Sequence, residues 1–376
     1  MKPTHSIFNK SIKTLQCSLT LALLLVFTQN VFAQPNVWTV DNRPESGSQY
    51  TSVQLAIDNV LTLDGDIIYI HPSPTSYGNI SVTKRLKLVG PGHDPANSGG
   101  TRATLGTITL RANTTDSVIT GLNTGSITAW SFGLNCHNIQ IINNRVTGLI
   151  RGHNVAGNSN NWIIEGNHFE IHYSSAIING SSSQAWQIRN NYIEGNLSSF
   201  DQTMIVTNNL FVQEDPSGTA QIFTSVDGIT SPIVTNNMII FTDPDITELI
   251  NSGSTPVTYT NCLTWNAGEG VASDLVALPG FGNLDNADPL FTSIPSSIVD
   301  FYNNNYTLGI GSPAIGAATD STPEDPTDIG VFGRNFPFDI HGRPHSMSYP
   351  EVMTILNTVV QPDQDLNVQF QATQKN

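Results

Sequence analysis

The chain has 376 residues, with 15 Lys and Arg against 30 Asp and Glu, for a net charge of −15. Such a balance disfavours nucleic acid and anionic membrane as partners, because both need clustered cations. It also argues against a polyanionic ligand, unless a metal ion or a local arginine patch intervenes.

The first 33 residues read as a signal peptide. Lys2, Lys10 and Lys13 precede an apolar run over 19–27, and Val31, Phe32 and Ala33 form a small-residue cleavage site. The run is too short to span a bilayer, and no later stretch reaches the ~18 apolar residues that insertion needs. Export leaves a mature chain from about Gln34. It keeps twelve of the basic residues and all the acidic ones, so its charge is 12 − 30 = −18.

Residues 34–62 read as an N-terminal cap. Within them, 50–62 carries apolar residues at 53, 56, 57, 60 and 61, a helical spacing, with Thr51 or Ser52 as its N-cap. From 63 to 278 the pattern turns strand-like. "DIIYI", "ISV" and "LKLVG" alternate with period two, followed by "TLGTITL" and "SVITGL". Then a corner recurs: "IQIINNRVTG", "WIIEGNHFEI", "WQIRNNYIEG", "MIVTNNLFVQ", "PIVTNNMIIF" and "PVTYTNCLTW". Its asparagines Asn144, Asn167, Asn191, Asn209, Asn237 and Asn261 are separated by 23, 24, 18, 28 and 24 residues. A repeat of this length is the signature of a solenoid. Three residues before the corner stand Ile141, Ile164, Ile188, Val206, Val234 and Thr258; two after it stand Val146, Phe169, Ile193, Phe211, Ile239 and Leu263. Both columns are expected inside. The corner asparagine supplies the left-handed residue of a sharp bend, and its amide can form a ladder between coils. Nine or ten coils fit the length.

Residues 279–344 depart from the repeat and read as a closing segment. Residues 345–376 form a tail with two further strands, "VMTIL" and "LNVQF". Cys136 and Cys262 lie about five coils apart. At ~4.8 Å per coil that is roughly 24 Å, far beyond the ~7 Å Cα separation a disulfide tolerates, so both are expected as free, buried thiols.

"GDIIYIHPSPTSYGNISVTKRLKLVGPG" resembles the opening coil of right-handed parallel β-helix proteins of the pectin-lyase-like superfamily. "NADPLF", "YTLGIGSPAIGAA" and "DIGVFG" resemble the closing segment of its secreted bacterial members, of Bacteroidetes type. The resemblance covers about residues 38–340 and implies an all-β, right-handed parallel β-helix. It does not imply one activity, since the superfamily holds lyases, hydrolases, esterases, epimerases, binding proteins and adhesins. None of its catalytic sets can be placed here. Only Lys84, Lys87 and Lys375 remain as lysines after export, and "RGHN" is a lone Gly-His pair.

What remains is the outward column. Positions one and three after the corner hold Arg145 and Thr147, His168 and Glu170, Tyr192 and Glu194, then Leu210 and Val212, Met238 and Ile240. Arg145, His168, Tyr192 and Glu194 read as a carbohydrate groove, with His168, Glu170 and Glu194 as candidate acid–base groups. Glu170 and Glu194 on adjacent strands would sit about 5 Å apart, close enough to raise a carboxyl pKa. The competing reading is a solvated sheet face. Trp130, Trp162 and Trp186 could stack on sugars, although Trp162 and Trp186 share a core column. Asp243 and Asp245, or Asp285 and Asp288, could bind calcium or serve as ordinary turn residues; no other cofactor is implied. Glu165 and Arg189 should pair side by side on the solenoid's exterior. The apolar quartet Leu210, Val212, Met238 and Ile240 needs a cover, from the tail after 344, from the loop 215–230 or from a partner protein. The functional expectation is a secreted or cell-surface, monomeric protein that binds or processes an extracellular glycan. The alternative is a non-enzymatic structural or adhesive surface protein.

Overall fold

The computed structural model describes residues 34–374 except 98, 130–134, 156–158, 180–182, 214–219, 227–228, 250, 252–254, 269–274, 296, 334–337, 346–347 and 356–367. Residues 1–33, expected to be a signal peptide, and Trp130 lie outside the described residues. The fold is an all-β parallel solenoid of about eight turns, rather than nine or ten. One sheet stacks the strands that precede each corner, from Val37–Val40 and Ile67–Ile70 through Ile163–Glu165 and Gln187–Arg189 to Gly280–Phe281. A second stacks the strands that follow it, including Arg145–Val146, His168–Ile178, Tyr192–Ser198, Leu210–Gln213, Met238–Phe241 and Leu263–Asn266. Every pair within these two sheets is parallel; for example Ile164 faces Ile141 and Ile188, and Phe169 faces Val146 and Ile193.

The reason is the period-two pattern. Ile141, Ile164, Ile188, Val206 and Val234, with Val146, Phe169, Ile193, Phe211 and Ile239, join one buried core. Each such side chain contributes about 1.5–3 kcal/mol by leaving water. Trp162 and Trp186 belong to this core: their rings stack 4.6 Å apart at 5°, and Trp162 donates to the Cys136 carbonyl at 2.6 Å. Cys136 and Cys262 are free and buried, and burial pushes their thiols up to about 11 and about 12.

The asparagine corner carries two roles on two residues. The first position of each corner (Gly121, Asn143, Gly166, Asn190, Asn208, Asn236, Asn261 and Gly282) has φ between 49° and 70°, which only Gly and Asn adopt readily. The second position makes the ladder. The amide oxygen of Asn167 accepts from both the backbone and side-chain nitrogen of Asn144, at 2.9 and 3.1 Å. The pattern repeats from Asn167 to Asn191, Asn191 to Asn209 and Asn209 to Asn237. Asn261 is therefore not a ladder residue. It pairs in register with Asn236, and Cys262 takes the ladder slot before Asn283 resumes it. The one-residue slip turns Tyr259 and Thr264 inward, in place of Thr258 and Leu263.

At the N-terminal end the helix Val53–Asp58 is capped by Ser52, whose hydroxyl accepts from the Leu55 amide. It buries Val53, Ala56 and Ile57 but stops before Val60 and Leu61, which are exposed, so the apolar stripe is shorter than its sequence spacing. In the tail, Ser348–Ile355 and Val368–Gln374 pair antiparallel with each other.

The cover over the apolar quartet comes from elsewhere than expected. Leu210, Val212, Met238 and Ile240 are buried in a second core together with Ile298, Phe301, Tyr306, Ala314, Ile329, Val331 and Phe338. The closing segment therefore lies along the outer face. The described part of the loop 215–230 packs inside the solenoid, where Phe223 and Val226 bridge Leu197 and Phe200. The outer asparagines hold the closing segment: Asn143 donates to the Arg343 carbonyl, Asn190 to Val331 and Gly333, Asn208 to Asp328 and Gly330, Asn261 to Ala317. Gly330, with φ of 99°, passes so close to Met238 that a β-carbon would collide with its sulfur.

Candidate binding site

The outward column has the expected register. Arg145, His168, Tyr192 and Leu210 are successive partners across the sheet, and Glu170 faces Glu194. It is not an open groove. His168, Tyr192 and Glu194 are only 2, 1 and 2 % exposed, because the turn 297–302 of the closing segment sits on them. Phe301 stacks on the His168 ring, centroids 3.8 Å apart at 17°, and the Tyr192 hydroxyl donates to the Ile298 carbonyl at 3.2 Å.

A pocket of about 360 Å³ survives at the edge of this contact, lined by Arg102, Arg145, Glu170, Glu194, Asp300 and Tyr302, with His168 in its wall. Arg145 pairs with Glu170 and donates to the Asn123 side chain at 2.6 Å. Arg102 donates from Nε to the His93 carbonyl at 2.6 Å, and its guanidinium lies 5.2 Å from the Tyr302 ring centroid. The Tyr302 hydroxyl is 3.0 Å from His93 Nδ1. The site thus offers two guanidiniums, carboxylates and an aromatic face, the mixture that recognises a polyol.

Burial sets the protonation of the imidazoles. His93 is pushed down to about 3, first by desolvation; Asp339, the next largest influence, pulls it up, Arg102 and Arg145 push it further down, and Asp94 raises it least. His168 is held well below the ordinary histidine value by burial, with His93, Arg145 and Arg102 adding repulsion. Burial and then Glu194 keep the Tyr192 phenol well above its usual value, hence neutral. Among the described residues, neither His168 nitrogen has a hydrogen-bond partner. In this closed arrangement the imidazole is neutral and sealed under Phe301, so it is not placed to shuttle protons. Glu170 is the more exposed of the two carboxylates, and Arg145 already holds it.

The other candidates sort as follows. Glu165 and Arg189 are register partners joined at 2.6 Å, but Glu165 is buried rather than exposed, with His345 Nε2 at 4.0 Å on its other oxygen. Asp243, Asp285 and Asp288 accept the backbone amides of Asp245, Leu278 and Leu290, the ordinary work of turn carboxylates. Among the described residues, no group of three His, Cys, Asp or Glu side chains is placed to hold a metal ion. Arg102, His93, Asp300 and Tyr302 had no signal in the sequence, because they stand outside the repeat: His93 and Arg102 lie in the loop between the strands Lys87–Val89 and Thr104–Leu105, and Asp300 and Tyr302 in the closing segment. A second pocket, of about 490 Å³, has Trp265, Phe291 and Ile298 among its walls. No helix among the described residues is long and apolar enough to cross a membrane. No protein-family model and no curated protein matches the chain.

Proposed function

We propose that this chain is an exported, monomeric β-solenoid that binds an extracellular polysaccharide without cleaving it, taking one sugar unit in the pocket between Arg102, Arg145, Glu170 and Tyr302. The observation that carries the reading is the pairing of donors and acceptors around an aromatic face in a pocket of about 360 Å³, near the lower bound of small-ligand sites. Sugar hydroxyls both donate and accept, and a tyrosine ring offers a face for sugar C–H groups. The resemblance to pectin-lyase-like β-helices supports a glycan as ligand. The sealing of His168 and the pairing of Glu170 with Arg145 argue against hydrolysis or elimination. The test is a glycan array with residues 34–376, together with assays for reducing ends and unsaturated products. Retention of a glycan class, weakened about tenfold or more by Arg145→Ala (~1.4 kcal/mol), with no product, supports binding. Product formation replaces binding by catalysis.

One observation favours the second reading, a non-enzymatic structural or adhesive surface protein. The closing segment covers the sheet face along which a long groove would have to run. That reading predicts an array with no glycan retained.

A further inference from the structure

We propose that the turn 297–302 is a displaceable plug in the pocket, closed while His93 and His168 are neutral and released when they take up protons. The turn itself supplies Asp300 and Tyr302 to the pocket, so release removes that aromatic face as it uncovers the column beneath. The proposal rests on the closed pocket being the binding site, but its test needs no glycan, so the two can fail separately.

The geometry is that of a plug rather than a built-in wall. The backbone hydrogen bonds of the turn are local: Asp300 to Ser297, Phe301 to Val299, Asn303 to Asp300 and Asn304 to Phe301. It adds no strand to the solenoid there. Side chains hold it: Phe301 flat on His168 and edge-on to Tyr192 at 4.9 Å, Tyr302 against His93 at 5.9 Å, and the Tyr192 hydroxyl on Ile298. Lifting the turn would therefore break ring contacts and few backbone bonds. It would uncover the whole polar column that the sheet register assembles, from Arg145 through His168 to Tyr192 and Glu194.

The trigger lies beneath the plug. His93 and His168 are 6.0 Å apart and fully buried, and His93 Nε2 and both His168 nitrogens lack partners among the described residues. Around them, Arg102 and Arg145 oppose protonation. On the other side Asp94 and Asp339 favour it at His93, while Glu170, Glu194 and Asp300 line the adjoining pocket. Tyr192, Tyr302 and Tyr306 stay neutral, their phenols raised by burial. Burial is the largest influence on both imidazoles, so the closed state holds each below the ordinary value near 6.5. An opened turn returns His168 toward water and that value, and relieves part of the burial of His93, which residues 341–342 also cover. Protons thus bind the open state preferentially once pH falls below about 6.5, and the effect grows until the closed-state value, about 3 for His93, is reached.

The test is hydrogen–deuterium exchange of residues 34–376 at pH 7 and pH 4.5, corrected for intrinsic rates. We expect exchange in 297–304 to rise by about 100-fold or more relative to pH 7, while the peptide over Gln187–Arg189 stays protected. His93→Gln with His168→Gln should abolish the rise. If that pair does not fold, His93→Gln alone should reduce it by about tenfold or more. Phe301→Ala should open the turn already at pH 7. Equal protection at both pH values, a rise that survives the histidine replacements, or simultaneous loss of protection at 187–189 each overturn the proposal.

Discussion

Two columns of asparagine run along the corner of this solenoid, one residue apart, and they do different work. The second column, Asn144 to Asn237, is sealed in the interior, where its amides bond to one another, to the backbone of their own and adjoining coils and, at Asn237, to the Cys262 sulfur. The first column faces outward in the left-handed conformation and holds the closing segment. The inner amides bind coil to coil, and the outer amides bind the stack to the segment that covers it. Residue identity alone cannot separate the two roles; position relative to the bend does.

Breaking the inner column should cost most. Asn191→Ala removes the acceptor of the Asn167 amide and the donor to the Ile164 carbonyl, both buried. The expected loss is about 2–4 kcal/mol, read as a lowered denaturation midpoint with exchange spreading to both adjoining coils. In the outer column Asn190→Gly is the matching change, because glycine keeps the φ of 51° that alanine would strain. It removes only the bonds to Val331 and Gly333. The expectation is about 1–2 kcal/mol, with added exchange confined to the region around 328–333. If Asn190→Gly destabilises the coils as much as Asn191→Ala does, the division of labour is wrong.

A repair sharpens the comparison further. Cys262 interrupts the ladder, with Asn237 Nδ2 3.9 Å from its sulfur. Cys262→Asn restores an amide of nearly the same volume. A gain of about 0.5–1 kcal/mol is expected, visible as a raised thermal midpoint. A fall in midpoint would show that the slot does not accept the amide.

The smallest effect is expected from removing the tail. Since residues 298–338 cover Leu210 and Met238, truncation after Arg343 should leave solubility and hydrophobic-dye binding unchanged. An increase in dye binding would give the tail a covering role after all.

Much of the solenoid was legible because a stacked coil imposes the same local demand at every turn. Period-two alternation named the inward columns, and the spacing of Asn144, Asn167, Asn191, Asn209 and Asn237 named the ladder. The reading slipped at "TYTNC", where a single asparagine fits either corner position. In a strand a shift of one residue exchanges the two faces, so Tyr259 and Thr258 traded places, as did Thr264 and Leu263. Only the pairing of Thr260 with Thr235 decides it.

Of the candidate site, the sequence placed Arg145, His168, Tyr192 and Glu194 in one column and Glu170 beside Glu194. It could not tell that Phe301 lies on His168, or that Arg102 and Tyr302 complete the pocket. The reason is physical. Repeats encode contacts at a fixed separation of about 18–28 residues, which recur and so can be read. The closing segment meets the sheet across separations such as the 141 residues between Asn190 and Val331. Those contacts occur once, with no period to announce them. The chain's own pattern therefore determined the coil, its interior and its corner, while only the docking of the non-repeating segment decided which outward face stays in water and which becomes a second core.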